Sequence, residues 1–324
     1  MKIKDVVYGE EEISEPILVE LINSAPVQRL KEVSQWGIVD ENYQKKAFSR
    51  FDHSIGVLIL LRRLNAKLEE QVAGLLHDAS HTAFSHIIDW VLEDTTNENY
   101  QDKTLLKTFE ETEISSILKK HGFDPQKIAD LEKFSLLERE APFLCADRVD
   151  YSLREISHLH NIEDAKKILE DLKNVDEKII LDSLESAELF ARHYVYMSRN
   201  HWGEDKAKAR FYIFADILKK ALSKKIISID DMMKTDKEIL DVLRKSNDED
   251  IISGLAMLKN GFFLKKTEGN GVILKNKFRY IDPEFIHGDK IVRLSEVSEK
   301  YKEILDKEKQ YFSVKQEFLI IPIK

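Results

Sequence analysis

One cysteine, Cys145, is all that the 324 residues contain. That excludes an internal disulfide and fits a reducing compartment. No stretch approaches the ~20 apolar residues of a membrane span. The N-terminal MKIKDVVYGEEEIS also lacks the apolar centre of a secretion signal. A cytoplasmic protein without membrane contact is the expectation. Positive charge is outnumbered, with 50 Lys and Arg against 59 Asp and Glu for a formal net charge of −9. A nucleic-acid backbone demands clustered cations, so this balance argues against DNA or RNA as the main partner. A small anionic ligand stays open, because a site can be locally positive on an acidic protein. Internal repeats and low-complexity tracts are absent.

What is present is apolar periodicity. Hydrophobic residues make up 43% of the chain, enough for a packed core, and charged residues 34%, as long amphipathic helices require. Residues 2–14 alternate weakly around Gly9 and predict a short hairpin. From Pro16 to Trp36 the apolar residues step by three or four, with Gly37 as a helix stop. Residues 38–49 read as a loop and 93–103 as a charged, less ordered stretch. Helices are expected over 52–68, 69–77, 105–121, 125–133, 135–159, 163–173, 178–201 and 204–223. After about residue 225 short helices (230–245, 248–258) give way to strand-like runs at Phe262–Lys266, Val272–Leu274, Phe278–Ile281 and Phe312–Ile323. The reading is mainly α, with a helical core over 1–224 and a smaller α+β lobe over 225–324.

Chemistry concentrates in Leu75–Asp89, LLHDASHTAFSHIID, where His77, Asp78, His81, His86 and Asp89 stand among Leu75, Leu76, Phe84, Ile87 and Ile88. Buried imidazoles and carboxylates are costly unless paired or bound to a cation. A metal and catalytic centre accounts for all five polar groups together. If the helix continues, His77 and His81 share one face (i, i+4), and His86 and Asp89 the next (i, i+3). Two more pieces are Arg50-Phe-Asp-His53-Ser, opening a helix, and Cys145-Ala-Asp147-Arg148-Val-Asp150-Tyr151 within another. Two imidazoles and two carboxylates would form a mixed shell suited to Mn, Fe, Ni, Co or Zn, with Mg entering as a second, substrate-borne ion. Water or substrate oxygens in the remaining positions would be activated or polarised.

Taken singly, each residue has an ordinary reading. His53 alone is a surface or satisfied core histidine, Asp147 beside Arg148 a plain ion pair, and Cys145 a small buried hydrophobe. The pairs Lys219-Lys220, Lys224-Lys225 and Lys265-Lys266 are solvated faces. His77-Asp-Ala-Ser-His81 also mimics the zinc-peptidase H-E-x-x-H helix. Asp, however, is one carbon shorter than Glu, and Gly74, Ser80 and Thr82 suit a long straight helix poorly.

Five segments, in order, carry a resemblance. They are Asp5-Val-Val-Tyr-Gly9, Gln28-Arg-Leu-Lys-Glu-Val-Ser-Gln35-Trp-Gly37, Arg50-Phe-Asp-His53-Ser-Ile-Gly-Val57, His77-Asp-Ala-Ser-His81-Thr-Ala-Phe-Ser-His86 and Asp147-Arg-Val-Asp150-Tyr151. Together, over residues 1–160, they resemble the HD-domain metal-dependent phosphohydrolases, and most closely the deoxynucleoside triphosphate triphosphohydrolase (dGTPase-like) branch. The resemblance implies an HD-domain helical fold, with His53, His77, Asp78 and Asp147 as metal ligands. It places His81 and His86 at phosphate, with His86 and Asp89 moving the proton. Gln35, Arg50, Arg148, Tyr151 and Lys208 become substrate contacts, and homo-oligomerisation is expected by family analogy. Three positions depart from the pattern. Phe109-Glu110 stands where many members have His-Glu, and Glu155 replaces an Asp. In His201-Trp202-Gly-Glu-Asp205-Lys-Ala-Lys208, Asp205 replaces a sugar-packing Tyr.

The expected activity is hydrolysis of a nucleotide, most closely a dNTP triphosphohydrolase-like reaction through metal-activated water. Within the enzyme class, a nucleoside monophosphate or cyclic-nucleotide phosphohydrolase is the rival. From another class, the rival is a catalytically weak nucleotide-binding regulator.

Overall fold

The computed structural model describes residues 1–37, 48–93, 99–274 and 277–323. Strands β1 (Lys2–Asp5) and β2 (Gly9–Glu12) form the expected hairpin, Asp5 opposite Gly9. Asp5 Oδ1 accepts the amides of Val7 and Tyr8 and so shapes the turn. Helices α1 (Pro16–Ile22) and α2 (Ala25–Arg29) replace the single helical run read to Trp36. Pro26 starts a new first turn, where its missing N–H costs nothing. After a 3₁₀ turn the chain extends, and Ser34 bridges Ser49. Most of the loop read at 38–49 lies outside the described residues.

α3 (Arg50–Arg63) opens with a capping box between Ser49 and Asp52. α4 (Leu68–Leu76) then ends just before His77, and residues 77–86 are turns leading to α5 (Ile87–Val91). The helix expected to carry both His77 and His81 therefore does not continue. Asp78, Ser80 and Thr82 favour local turns over helix, and Phe84 and Ser85 take left-handed φ of 62° and 51°. α6 (Tyr100–Glu111) begins inside the stretch read as less ordered, of which 94–98 lie outside the described residues. Thr112 ends α6 and caps α7 (Glu113–Lys120), splitting the helix expected over 105–121. α8 (Pro125–Ala129) precedes an irregular segment, so the helix read over 135–159 is α9 (Ala146–Leu159) alone. After α10 (Ile162–Glu170), a hairpin of β3 (Leu172–Val175) and β4 (Lys178–Leu181) occupies the start of the expected 178–201 helix. Its turn, Asp176-Glu177, takes positive φ at both residues without a glycine to signal it. α11 (Leu184–Met197) and α12 (Asp205–Ser223) follow.

The C-terminal part contains α13 (Asp236–Lys245), α14 (Glu249–Asn260), β5 (Phe262–Lys266), β6 (Val272–Leu274), β7 (Glu284–His287), β8 (Lys290–Arg293), α15 (Leu294–Val297), α16 (Glu299–Ser313) and β9 (Gln316–Pro322). Phe278–Ile281, read as a strand, is not one. β5, β9 and β6 form an antiparallel sheet, while β7 and β8 extend the β3–β4 hairpin through a parallel β4–β7 pairing. Two apolar cores result. The first gathers Leu58, Leu76, Val149 and Phe190, joined from the C-terminal part by Phe285 and Tyr301. The second packs Phe84, Ile87 and Phe214 with Ile239, Ile251 and Phe318. Each Leu, Ile or Phe buried this way contributes about 1.5–3 kcal/mol. The sequence boundary near residue 225 follows the end of α12, yet pairing and packing cross it in both directions.

Candidate active site

His53 comes from the first turn of α3, His77 from just past α4, and Asp147 from the first turn of α9. Their side chains meet. His53 Nε2 lies 2.9 Å from Asp147 Oδ1 and 3.2 Å from His77 Nε2, and His77 Nε2 is 3.7 Å from the same Asp147 oxygen. One ligating atom from each falls within 4.8 Å of the others. Asp78 stands beside them, with Oδ2 3.8 Å from His53 Nε2 and Oδ1 3.4 Å from His77 Nε2.

The far sides of both rings are engaged. Asp150 Oδ2 accepts from His53 Nδ1 at 2.7 Å, and the Gly74 carbonyl from His77 Nδ1 at 2.7 Å. Both acceptors require Nδ1–H, so both Nε2 lone pairs face one point. Two opposed lone pairs beside carboxylate oxygens repel unless a proton or cation lies between them. The donor set of two buried imidazoles, buried Asp78 and half-buried Asp147 fits a divalent ion. Burial works against a charged His77, but Asp78 and Asp147 outweigh it and hold the ring up at about 10. Burial likewise opposes ionised Asp147, but bonds from His53 and His77 hold it well below the usual carboxylate range.

The period of α9 decides which residues face the cavity. Asp147, Tyr151 and Glu155 repeat at i, i+4 and i+8, and all three line a cavity of about 520 Å³. Asp150 and Arg154 occupy the adjoining face, against α3. Arg154 Nε donates to Asp150 Oδ2 at 2.8 Å and its Nη2 to Asp5 Oδ2 at 2.7 Å, so the N-terminal hairpin is tied to His53 through two ion pairs. A Cβ at Gly56 would collide with both Asp150 and Arg154, which requires glycine there.

His81, buried, sets Nε2 3.2 Å from Asp78 Oδ1. Burial and then Arg50 push it down to about 3, so it is a neutral imidazole. His86 is the more open of the two, and its Nδ1 lies 3.2 Å from Asp89 Oδ2. Arg50 donates to Asp78 at 2.9 Å and to Ser85 Oγ at 2.9 Å. Gln35, Tyr151 and Lys208 all line the cavity, with Lys208 2.8 Å from Asp205. Asp89 is buried behind His86 and accepts the Tyr100 amide. Arg148 is the exception among the residues read as substrate contacts. One position after Asp147, it points off the cavity face and donates to the carbonyls of Phe143 (2.6 Å) and Arg139 (3.1 Å). Phe109 is fully buried in the first core, so that position supplies packing.

Other cavity residues were not singled out from the sequence. All three tryptophans of the chain, Trp36, Trp90 and Trp202, line it. Trp202 and Trp36 donate their indole N–H groups to Glu155 at 2.7 and 3.1 Å. Burial still pushes Glu155 up to about 8. Arg210, Lys277 and Arg279 add positive charge to the wall. Isolated lysines and arginines carry no periodic signal, and the last two reach the cavity only through the C-terminal segment. Cys145 is buried as expected, its thiol pushed up to about 12 by burial. Together with Glu138 it approaches Asp147 closely enough to offer a second ligand group, but Arg148 donates to its Sγ at 3.1 Å and compensates charge there.

The HD-domain family model matches residues 50–150, the span that holds His53, His77, Asp78 and Asp147. The chain is 38% identical over 309 residues to the protein YdhJ of Bacillus subtilis, covering 94% of each. It is also 39% identical over 208 residues to the metal-dependent phosphohydrolase cns2 of Cordyceps militaris, covering 62% of this chain and 60% of cns2. The chain is an HD-domain metal-dependent phosphohydrolase. A more distant relative of this phosphohydrolase is the deoxynucleoside triphosphate triphosphohydrolase SAMHD1 homolog of Dictyostelium discoideum, 22% identical over 335 residues, 89% of this chain and 61% of that one. The fold is shared with the crystal structure of a phosphohydrolase from Bacteroides thetaiotaomicron (TM-score 0.72, 18% identity, full coverage of both chains). Among the described residues of the phosphohydrolase, no helix is long and apolar enough to cross a membrane.

Proposed function

We propose that this phosphohydrolase cleaves a phosphate linkage of a nucleotide, with deoxynucleoside triphosphates as the first substrates to test. The observation that carries this is one cavity joining the His53–His77–Asp147 cluster to an aromatic wall and four cationic side chains, Lys208, Arg210, Lys277 and Arg279. The first suits a phosphoryl centre, the second a base or sugar face, and the third a polyanion. Asp78 completes the proposed ligand set. A divalent ion held there would supply Lewis acidity toward a phosphoryl oxygen and acidify water.

The chain's own groups would do the rest. His81 faces the phosphoryl group with its Nε2 set on Asp78, and Arg50 fixes Asp78 in place. With Nδ1–H turned to Asp89, His86 presents Nε2 to the cavity, where it holds the proton needed by the leaving oxygen. Gln35, Tyr151 and Lys208 orient the nucleotide. The relationship to a named dNTP triphosphohydrolase supports the triphosphate. A second reading, a nucleoside monophosphate substrate, gains from Arg148, whose withdrawal leaves fewer cations for a long phosphate chain.

Nucleotide-panel hydrolysis with Mn²⁺ or Co²⁺ separates the two readings. Tripolyphosphate release from dNTPs supports the first, and orthophosphate from monophosphates alone supports the second. Asp147→Ala is expected to lower bound metal and to cut turnover at least ~100-fold. A wild-type protein that binds metal yet hydrolyses no nucleotide would overturn both.

A further inference from the structure

We infer that Asp236, in the first turn of α13, is a positioning residue that clamps two substrate-facing segments of this site together. Its carboxylate is almost fully buried, 3% exposed. Oδ1 accepts the Phe84 amide at 2.7 Å, and Oδ2 accepts the Ser34 amide at 2.8 Å. The first segment carries His81 and His86, the second Gln35 and Trp36. Both bonds span the molecule, the first across 152 positions of sequence.

Neither bond serves α13 itself. That helix has its own capping box, Thr235 with Glu238, so Asp236 is not needed as a cap. The loop it holds is one that needs holding. Phe84 and Ser85 sit consecutively in the left-handed region, which side-chain-bearing residues adopt only where surroundings over-determine them. Gly37 allows the approach, since a Cβ there would lie 2.6 Å from the Phe84 carbonyl. Neighbouring ties run the same way. Met232 O accepts the Ala83 amide at 2.7 Å, and Arg29 donates to the carbonyls of Lys234, Ala79 and His81. Arg50 and Ser34 both bond Ser85 Oγ. The strained loop is thus fixed between the first part of the chain and α13, and the Asp236 carboxylate takes one amide from each of the two segments.

The catalytic half of this inference rests on the reading that His81 and His86 face a phosphate. The clamp itself does not. The test uses the full chain, wild type against Asp236→Asn and Asp236→Ala. Asn retains one acceptor oxygen for two amides, Ala none. Hydrogen exchange is expected to accelerate ~10- to 100-fold in peptides covering 33–37 and 81–86 of the Ala variant, and less in the Asn variant. Peptides of α3 and α9 should keep wild-type rates, and Mn²⁺ content should be unchanged. Against any nucleotide that wild type hydrolyses, kcat should fall ~10-fold or more. Unchanged exchange in both segments overturns the clamp, and uniform acceleration across the chain reassigns Asp236 to global stability. Loosened segments with wild-type kcat overturn the positioning role. A wild type that hydrolyses nothing sinks the functional reading instead, and exchange still decides the clamp.

Discussion

Glu155 sits between the indoles of Trp36 and Trp202, with Arg279, His201 and His53 as its charged or titratable neighbours. Buried, it binds its proton up to about 8, against an ordinary value of 4.5. The folded chain therefore keeps a proton that the unfolded chain releases between those limits. The stability this gives is full below pH ~4.5 and is lost as pH rises through about 8. Glu155→Gln keeps the shape and deletes the titration. The wild-type-minus-variant difference in urea stability should fall by a few kcal/mol from pH 4.5 to 8.5, at ~1.4 kcal/mol per unit of pKa displacement. A flat difference would place the ionised form in the cavity already. Single residues also mark what sequence could reveal. His77 was legible from the crowding of polar groups among apolar neighbours, His53 and Asp147 from the family resemblance, and the structure brings the three side chains together. Arg148 was misread because adjacency to Asp147 in sequence means roughly a right angle on a helix.

Between elements, α3 and α9 lie close enough that Gly56 cannot carry a side chain without striking Asp150 and Arg154. This spacing sets the bond from Asp150 to His53 and, through Arg154, the link to Asp5. Gly56→Ala should cost about 1–3 kcal/mol by overpacking and weaken Mn²⁺ binding ~10- to 100-fold through the displaced His53 partner. Melting curves with and without metal, together with metal titration, measure both. Destabilisation with wild-type metal affinity would uncouple the helix spacing from the site. Sequence carried the existence of these helices well, since α12 and α14 follow apolar periods and α3 carries a long apolar run from Ile55 to Leu61. It missed the β3–β4 hairpin, whose turn lacks glycine, and the stop after Leu76, where local side-chain hydrogen bonding beats an apolar pattern.

At the scale of the molecule, the two cores exchange residues across the sequence boundary near 225. Phe285 and Tyr301 complete the first core, and Phe84 and Ile87 complete the second. A fragment ending at residue 224 would thus leave β4 without β7, and Phe84 and Ile87 without Ile239, Ile251 and Phe318, and would lose Asp236. It should lack a cooperative melting transition and near-ultraviolet dichroism, and a sharp transition with full metal content would show that the helical part stands alone. No local pattern announces such interleaving, because it depends on where distant segments dock. The distribution of aromatic rings has a practical consequence of its own. Since Trp36, Trp90 and Trp202 are the entire tryptophan complement and all border one cavity, the tryptophan emission of this protein is a property of that cavity. Occupancy can be read there without a label, while the fold as a whole is better followed by the amide signal of its helices.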